Sequence, residues 1–300
     1  MPELQSLHAR DLVLRYGSSD VVHGVSLGLE PGHVTALVGP NGSGKSTVLR
    51  SIARLHPITE GEVVLRDASA AGDDAPQDAP EQQARVFSPR EFARLVTLFS
   101  QSRQAPQGIT VREVVAFGRH PYRRRFSGLT EVDRAAIDGA MARTGIAPMA
   151  DRAAGELSGG ELQRVWLAAC LAQDTGVVLL DEPTNHLDLR YQFETLEVVR
   201  DLAEVQGAAV GIVLHDLDQA ASIADTLVLM RSGRIHAVGE PLAVLTAEHI
   251  REVYEIDVEV FFDADAGRLR IDPVGRHVRS ASPGDPSTRV GIPYESEHHA

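Results

Sequence analysis

The chain has 300 residues, 43% of them hydrophobic, and a formal net charge of −13. That length and apolar share suffice for one large or two modest domains with a proper core. The acidic balance disfavours a generic nucleic-acid or anionic-membrane surface, and no run reaches the ~18 apolar residues of a spanning helix, so any membrane role is expected to come through partners.

Met1 to Gln5 lacks the basic-then-apolar profile of an export signal. To about Leu29, apolar and polar residues alternate (Leu12, Leu14, Tyr16; Val25, Leu27, Leu29), which predicts antiparallel strands. The apolar run Val34 to Val38 then leads into Gly39-Pro40-Asn41-Gly42-Ser43-Gly44-Lys45-Ser46, with Val48, Leu49, Ile52 and Leu55 following on one helical face. This is G-x-x-x-x-G-K-[ST] in the strand-loop-helix context it requires. The glycines let successive backbone N–H groups converge on phosphate oxygens, and the helix adds its positive end. Lys45 supplies a mobile charge to the outer phosphates, and Ser46 an oxygen for Mg²⁺. The bland alternative, a glycine-rich turn before an ordinary helix, loses to the match in its proper setting.

Asp67 to Glu81, dominated by Ala, Asp, Pro and Gly, has little to bury and is expected to be a flexible insertion, about residues 67–84 in all. Leu95 to Phe99 reads as a strand, with Gln101 just beyond its end. From Thr110 to Gly155 helical patterns prevail: Val111 to Phe117, then a helix from about Thr130 with Ile137, Ala140, Met141 and Thr144 on one face. Between them, Gly118-Arg119-His120-Pro121-Tyr122 and the cluster Arg123 to Arg125 offer a turn and exposed cations. Leu157-Ser158-Gly159-Gly160-Glu161 satisfies the S-x-x-E capping box, and Leu162, Val165, Trp166, Ala169 and Cys170 follow at helical spacing. Its glycine-softened start points outward and is an anion site in its own right, beside the simpler reading as an ordinary cap. Cys170, the single cysteine, makes no intrachain disulfide and is expected to be an inert buried thiol, which fits cytosol.

The strand-like run from Val177 ends in Asp181-Glu182, adjacent carboxylates at the carboxyl end of a parallel sheet. Alternation separates their jobs: Asp181 for the Mg²⁺ shell, Glu182 for polarising the attacking water. Helix-capping acids are the common alternative for a lone pair of this kind. Ala209 to Leu214 is another buried strand, closed by His215, assigned to the γ-phosphate and to positioning the water. Gln101, alone an ordinary strand-end residue, is promoted by the ensemble to a Mg²⁺ and water contact. Thr226 to Met230 and Ile235 to Val238 read as a hairpin, and the chain after Pro273 as a polar, disordered tail.

In this order the motifs resemble the ATP-binding-cassette family, from about Leu7 to about Phe262. The resemblance implies an α/β fold: a P-loop NTPase (RecA-like) core with an antiparallel β arm and an inserted helical subdomain at about 102–165. Residues 1–262 would form the cassette and 263–300 a C-terminal extension. By the same resemblance, Tyr16 stacks on adenine, Gly39 to Thr47 is the phosphate loop, and Gln101 couples nucleotide state to a membrane partner. Ser158, Gly159, Gly160 and Glu161 complete a second subunit's ATP site, Asn185-His186-Leu187-Asp188 contacts the dimer partner, and His215 is the switch histidine. Position 161 departs from the family's commoner Gln, adding a negative charge near a bound γ-phosphate.

The resemblance further implies ATP with Mg²⁺, catalysis by Lys45, Glu182 and His215, a second cassette, permease subunits, and indirectly a substrate-binding protein. It implies no nucleic acid, and a place on the cytoplasmic face of the cell membrane. Val114 to Tyr122 and Leu214 to Ala220 resemble importers of iron-siderophore complexes, haem and cobalamin, ferric siderophore being the leading cargo. Haem, cobalamin or metal-ion import, or a soluble non-transport cassette ATPase, are the alternatives. A phosphate-loop kinase is a third class, with no use for Leu157 to Glu161.

Overall fold

The computed structural model describes residues 5–67, 81–100, 107–124, 128–263 and 268–274. Their strands are, in chain order, β1 (Gln5–Tyr16), β2 (Ser19–Leu29), β3 (Val34–Val38), β4 (Glu60–Asp67), β5 (Glu81–Gln83), β6 (Val96–Phe99), β7 (Val177–Asp181), β8 (Ala209–Val213), β9 (Thr226–Arg231), β10 (Arg234–Gly239), β11 (Val258–Asp263) and β12 (Arg268–Pro273). The alternating first segment forms the expected arm, an antiparallel sheet of order β2-β1-β4-β5. A second sheet, of order β10-β9-β3-β8-β7-β6, runs parallel from β9 to β6, with β10 returning antiparallel as the expected hairpin.

The apolar runs of the parallel strands are continuous because both faces are covered. Ala36, Val38, Val178, Leu180 and Ile212 pack into one core with the helices Gly159–Ala172 and Leu189–Glu204. Leu37, Val177, Leu179 and Val213, one residue out of phase, pack into another against the arm and the helix Lys45–Ile52. Alternation along each strand thus divides the molecule into two cores that share one sheet.

The helical subdomain comprises the helices Val111–Val115 and Glu131–Arg143, a 3₁₀ stretch Ala116–Tyr122, and the start of Gly159–Ala172. Arg119 corrects the expectation of an exposed cation. It is 4% exposed, donates to Asp133 Oδ1 at 2.8 Å and to the Ala172 carbonyl at 2.9 Å, and lies over the Tyr122 ring. Gly118 beside it allows the approach, since a Cβ there would sit 2.0 Å from the Ala169 carbonyl oxygen. His120, Arg123 and Arg124 are exposed as expected, and Arg125 lies outside the described residues.

Two boundaries also move. The expected flexible insertion ends earlier, because β5 pairs with β4 and Glu81 is gripped by Arg10 and Arg66, whose guanidinium hydrogen bonds pull its carboxyl down to about 2. A helix Pro89–Leu95, started by a Ser88–Glu91 capping box, takes Leu95 out of the expected strand. At the other end, β12 pairs with β11 and packs Leu269 and Ile271 on the larger core, so this hairpin spans the expected boundary at 262. Residues 68–80 of the insertion and 275–300 of the expected disordered tail lie outside the described residues.

Candidate functional site

The carboxyl ends of β3, β7 and β8 meet at one edge of the parallel sheet, and the predicted motifs come with them. After β3 the chain must turn at Gly39, whose φ is 145° and where a Cβ would lie 2.2 Å from the Met230 carbonyl oxygen, so no other residue fits. The Gly233 amide donates to the Ser43 carbonyl and fixes the loop to the β9–β10 turn. Gly44 then opens the helix Lys45–Ile52 with no side-chain cap, leaving its first N–H groups for an anion.

Asn41 and Gly42 form the exposed rim of this loop beside a half-buried Pro40, and Thr47 follows Ser46 in the first helical turn. Lys45 is 4% exposed, and its Nζ donates to the carbonyls of Gly39 and Pro40 at 2.7 and 3.0 Å. Burial lowers its pKa against the opposing pull of Glu182 and Asp181. The ammonium thus rests on neutral acceptors, and a triphosphate offers it stronger ones.

Ser46 Oγ donates to Asp181 Oδ1 at 2.6 Å, while Arg50 reaches Asp181 Oδ2 at 3.2 Å. Strand β7 ends at Asp181, and Glu182 turns away with φ 56°, a left-handed conformation that costs a non-glycine residue about 1–3 kcal/mol and clusters at functional sites. Both its oxygens are engaged: His215 Nε2 with Oε1 and Asn185 Nδ2 with Oε2, each at 2.5 Å. Lys45, Ser46, Asp181, Glu182 and His215 are therefore brought together. Gln101 lies outside the described residues.

The helix Gly159–Ala172 has its capping box in full, Glu161 accepting from the Ser158 amide and hydroxyl at 2.8 Å each. Those bonds, with Arg152 at 3.0 Å, lower the Glu161 pKa. Ser158 and Gly159 are exposed, and a Cβ on Gly159 would meet nothing within 4 Å. Tyr16, 49% exposed at the end of β1, stands apart from the carboxylates against His56, ring centroids 4.4 Å apart.

Three contacts escaped the sequence reading. Arg50 pairs with Asp181, Gln163 Nε2 donates to the Pro183 carbonyl at 2.6 Å, and Tyr254 lies against the phosphate loop. Arg50 follows Lys45 on the same helix, a spacing the sequence does hold; the other two bridge distant segments and leave no local pattern.

The family model described as ABC transporter matches residues 22–185. The ferric enterobactin transport ATP-binding protein FepC of Escherichia coli (strain K12) is 37% identical over 92% of this chain and 97% of its own length. The cobalamin import ATP-binding protein BtuD of Halobacterium salinarum is 40% identical over 95% of this chain and 67% of its own. Among solved structures, the dimeric structure of a bacterial ABC transporter cassette superposes with a TM-score of 0.64 at 23% identity, covering 78% of this chain and 98% of that one.

Proposed function

The chain belongs to the ABC transporter family, and on that footing we propose that it is the ATP-hydrolysing subunit of an importer for ferric siderophores. The observation that carries the reading is the meeting of Lys45, Ser46, Asp181, Glu182 and His215 at one sheet edge. The amides of Gly39 to Thr47 would hold the triphosphate, and Lys45 would exchange loop carbonyls for phosphate oxygens. The hydroxyl of Ser46 and carboxylate of Asp181, 2.6 Å apart, are hard oxygen donors on one side of the loop and fit a Mg²⁺ shared with nucleotide and water. When bound, that ion neutralises charge on the outer phosphates. Glu182 accepts a proton from the attacking water, and His215 holds its carboxylate and reaches the γ-phosphate. Tyr16 would stack on adenine, and Gln101 is assigned to the metal shell and the water.

Ser158, Gly159, Gly160 and Glu161 cap the ATP of a second copy, with Asn185 to Asp188 between the two. The open space around Gly159 supports this, because packing within the chain does not require a glycine there. Permease subunits in the membrane complete the machine, fed by a substrate-binding protein. Among the described residues no helix is long and apolar enough to cross a membrane; the subunit would dock on the permease from the cytoplasmic face. Iron chelate is preferred as cargo because the similarity to the enterobactin protein runs through nearly all of both chains. Cobalamin is the second reading, favoured by the higher identity to the halobacterial relative.

Glu182→Gln tests the catalytic assignment. It keeps the side chain's shape but removes the base, so Mg-ATP binding should persist while steady-state phosphate release falls by about 10²–10⁴-fold. Normal turnover would refute the role of Glu182. Copurification with a permease, followed by ferric-siderophore and cobalamin uptake in proteoliposomes, decides the cargo.

A further inference from the structure

Where the helix Gly159–Ala172 meets Glu131–Arg143 and Leu189–Glu204 there is a cavity of about 480 Å³. Arg164 lines it. The residue is 8% exposed, its Nε is shut away from solvent without an acceptor, and among the described residues its side chain makes no hydrogen bond or ion pair. It stacks on Tyr191, 3.8 Å from the ring centroid. A cation this buried is costly without an anionic partner.

The neighbouring charges do not supply one. Glu161 is held by Arg152 and Ser158, and Glu194 by Arg190 at 2.7 Å. Asp201 faces Arg143, whose charge Asp174 also meets, and Glu197 is exposed. Arg164 is left without an ion pair of its own, and Glu197 lines the same cavity. The stack on Tyr191 covers one face of the guanidinium, leaving its edge, the geometry that accepts a carboxylate through two parallel hydrogen bonds.

We propose that this cavity binds a small organic monocarboxylate, its two oxygens on the Arg164 edge and its apolar body toward Met149 and Val198. One carboxylate fills the one guanidinium edge that Arg164 offers; a second negative charge would meet Glu197 and Asp201, which line the same cavity. The ligand would bridge the helix that begins at Ser158 to the helix that follows the Glu182 turn, and so bias how the helical subdomain sits on the core. The site stands independently of the cargo.

Acetate, butyrate and benzoate would each be titrated into the full chain by calorimetry, under saturating Mg-ADP so that the phosphate loop is filled. Saturable binding of at least one, at one site per chain, is expected. Arg164→Gln should weaken it about tenfold or more, and benzamide, the neutral isostere of benzoate, should not bind. Should Arg164→Gln fail to fold, Ala142→Glu decides, since Ala142 is an exposed residue lining the same cavity and an acid there repels the ligand. No saturable binding by any of the three acids, equal binding of benzamide, or affinity unchanged by these substitutions would overturn the proposal.

Discussion

Glu182 and Arg119 show two ways in which a single side chain is held. Glu182 has a left-handed backbone and hydrogen bonds on both oxygens, so its carboxylate is fixed by His215 and Asn185 rather than by burial. The adjacency of Asp181 and Glu182 at a strand end made their place on the sheet edge legible in the sequence; the clamp by Asn185 depends on a tight turn that spacing does not reveal. Arg119 is held by burial instead. Its ion pair with Asp133 leaves the two side chains 4% and 5% exposed, with further hydrogen bonds from Arg119 to the Ala172 carbonyl and from Thr130 to Asp133. Removing one partner strands the other, so Asp133→Ala should cost about 3–5 kcal/mol in urea unfolding. The double variant Arg119→Met, Asp133→Leu should recover much of that loss. A single variant with unchanged midpoint would show the pair to be dispensable. In the sequence Arg119 read as an exposed cation because the acid that buries it comes from the next helix.

Elements were legible where their signals are local. The capping box at Ser158, the hairpin at Arg231 to Arg234 and the arm's alternation are each written within a few residues, and each forms. The hairpin β11–β12 was cut in two because its strands are short and only the packing of Leu269 and Ile271 ties it to the core. The helix Ala247–Tyr254 likewise owes its role to tertiary placement. It carries Tyr254 to the phosphate loop, where the buried hydroxyl faces the Gly39 amide without reaching hydrogen-bond geometry, and burial pushes its pKa up to about 12. A phenol that ionises near 10 when unfolded thus favours the folded state below that pH, and the contribution disappears as pH rises through 10 toward 12. Ultraviolet titration should show one tyrosine ionising late, and Tyr254→Phe should abolish that step and flatten the alkaline loss of stability. A late step that survives the substitution would assign it to another tyrosine.

At the scale of the whole molecule, the site is open on one side. Ser158 and Gly159 project into solvent, and the nearby helix exposes Leu189 and Phe193 at 83% and 62%, apolar surface that a lone cassette gains nothing by showing. A second copy would cover it, with ATP supplying negative charge between each phosphate loop and the facing helix start. Opposing this, each chain carries a net charge of −13, and pairing two such chains concentrates that repulsion. The Glu182→Gln variant, which holds ATP unhydrolysed, should therefore dimerise only when ATP is added, measured by light scattering coupled to gel filtration. Raising salt from about 50 to about 300 mM shortens the Debye length from roughly 14 to roughly 6 Å, so distant like charges are screened while the nucleotide contacts between subunits are not. Dimerisation should strengthen over that range. A dimer that forms equally without ATP would remove the nucleotide from the interface, and one that dissociates as salt rises would show that direct ion pairs, not ATP and apolar contact, hold the two cassettes together.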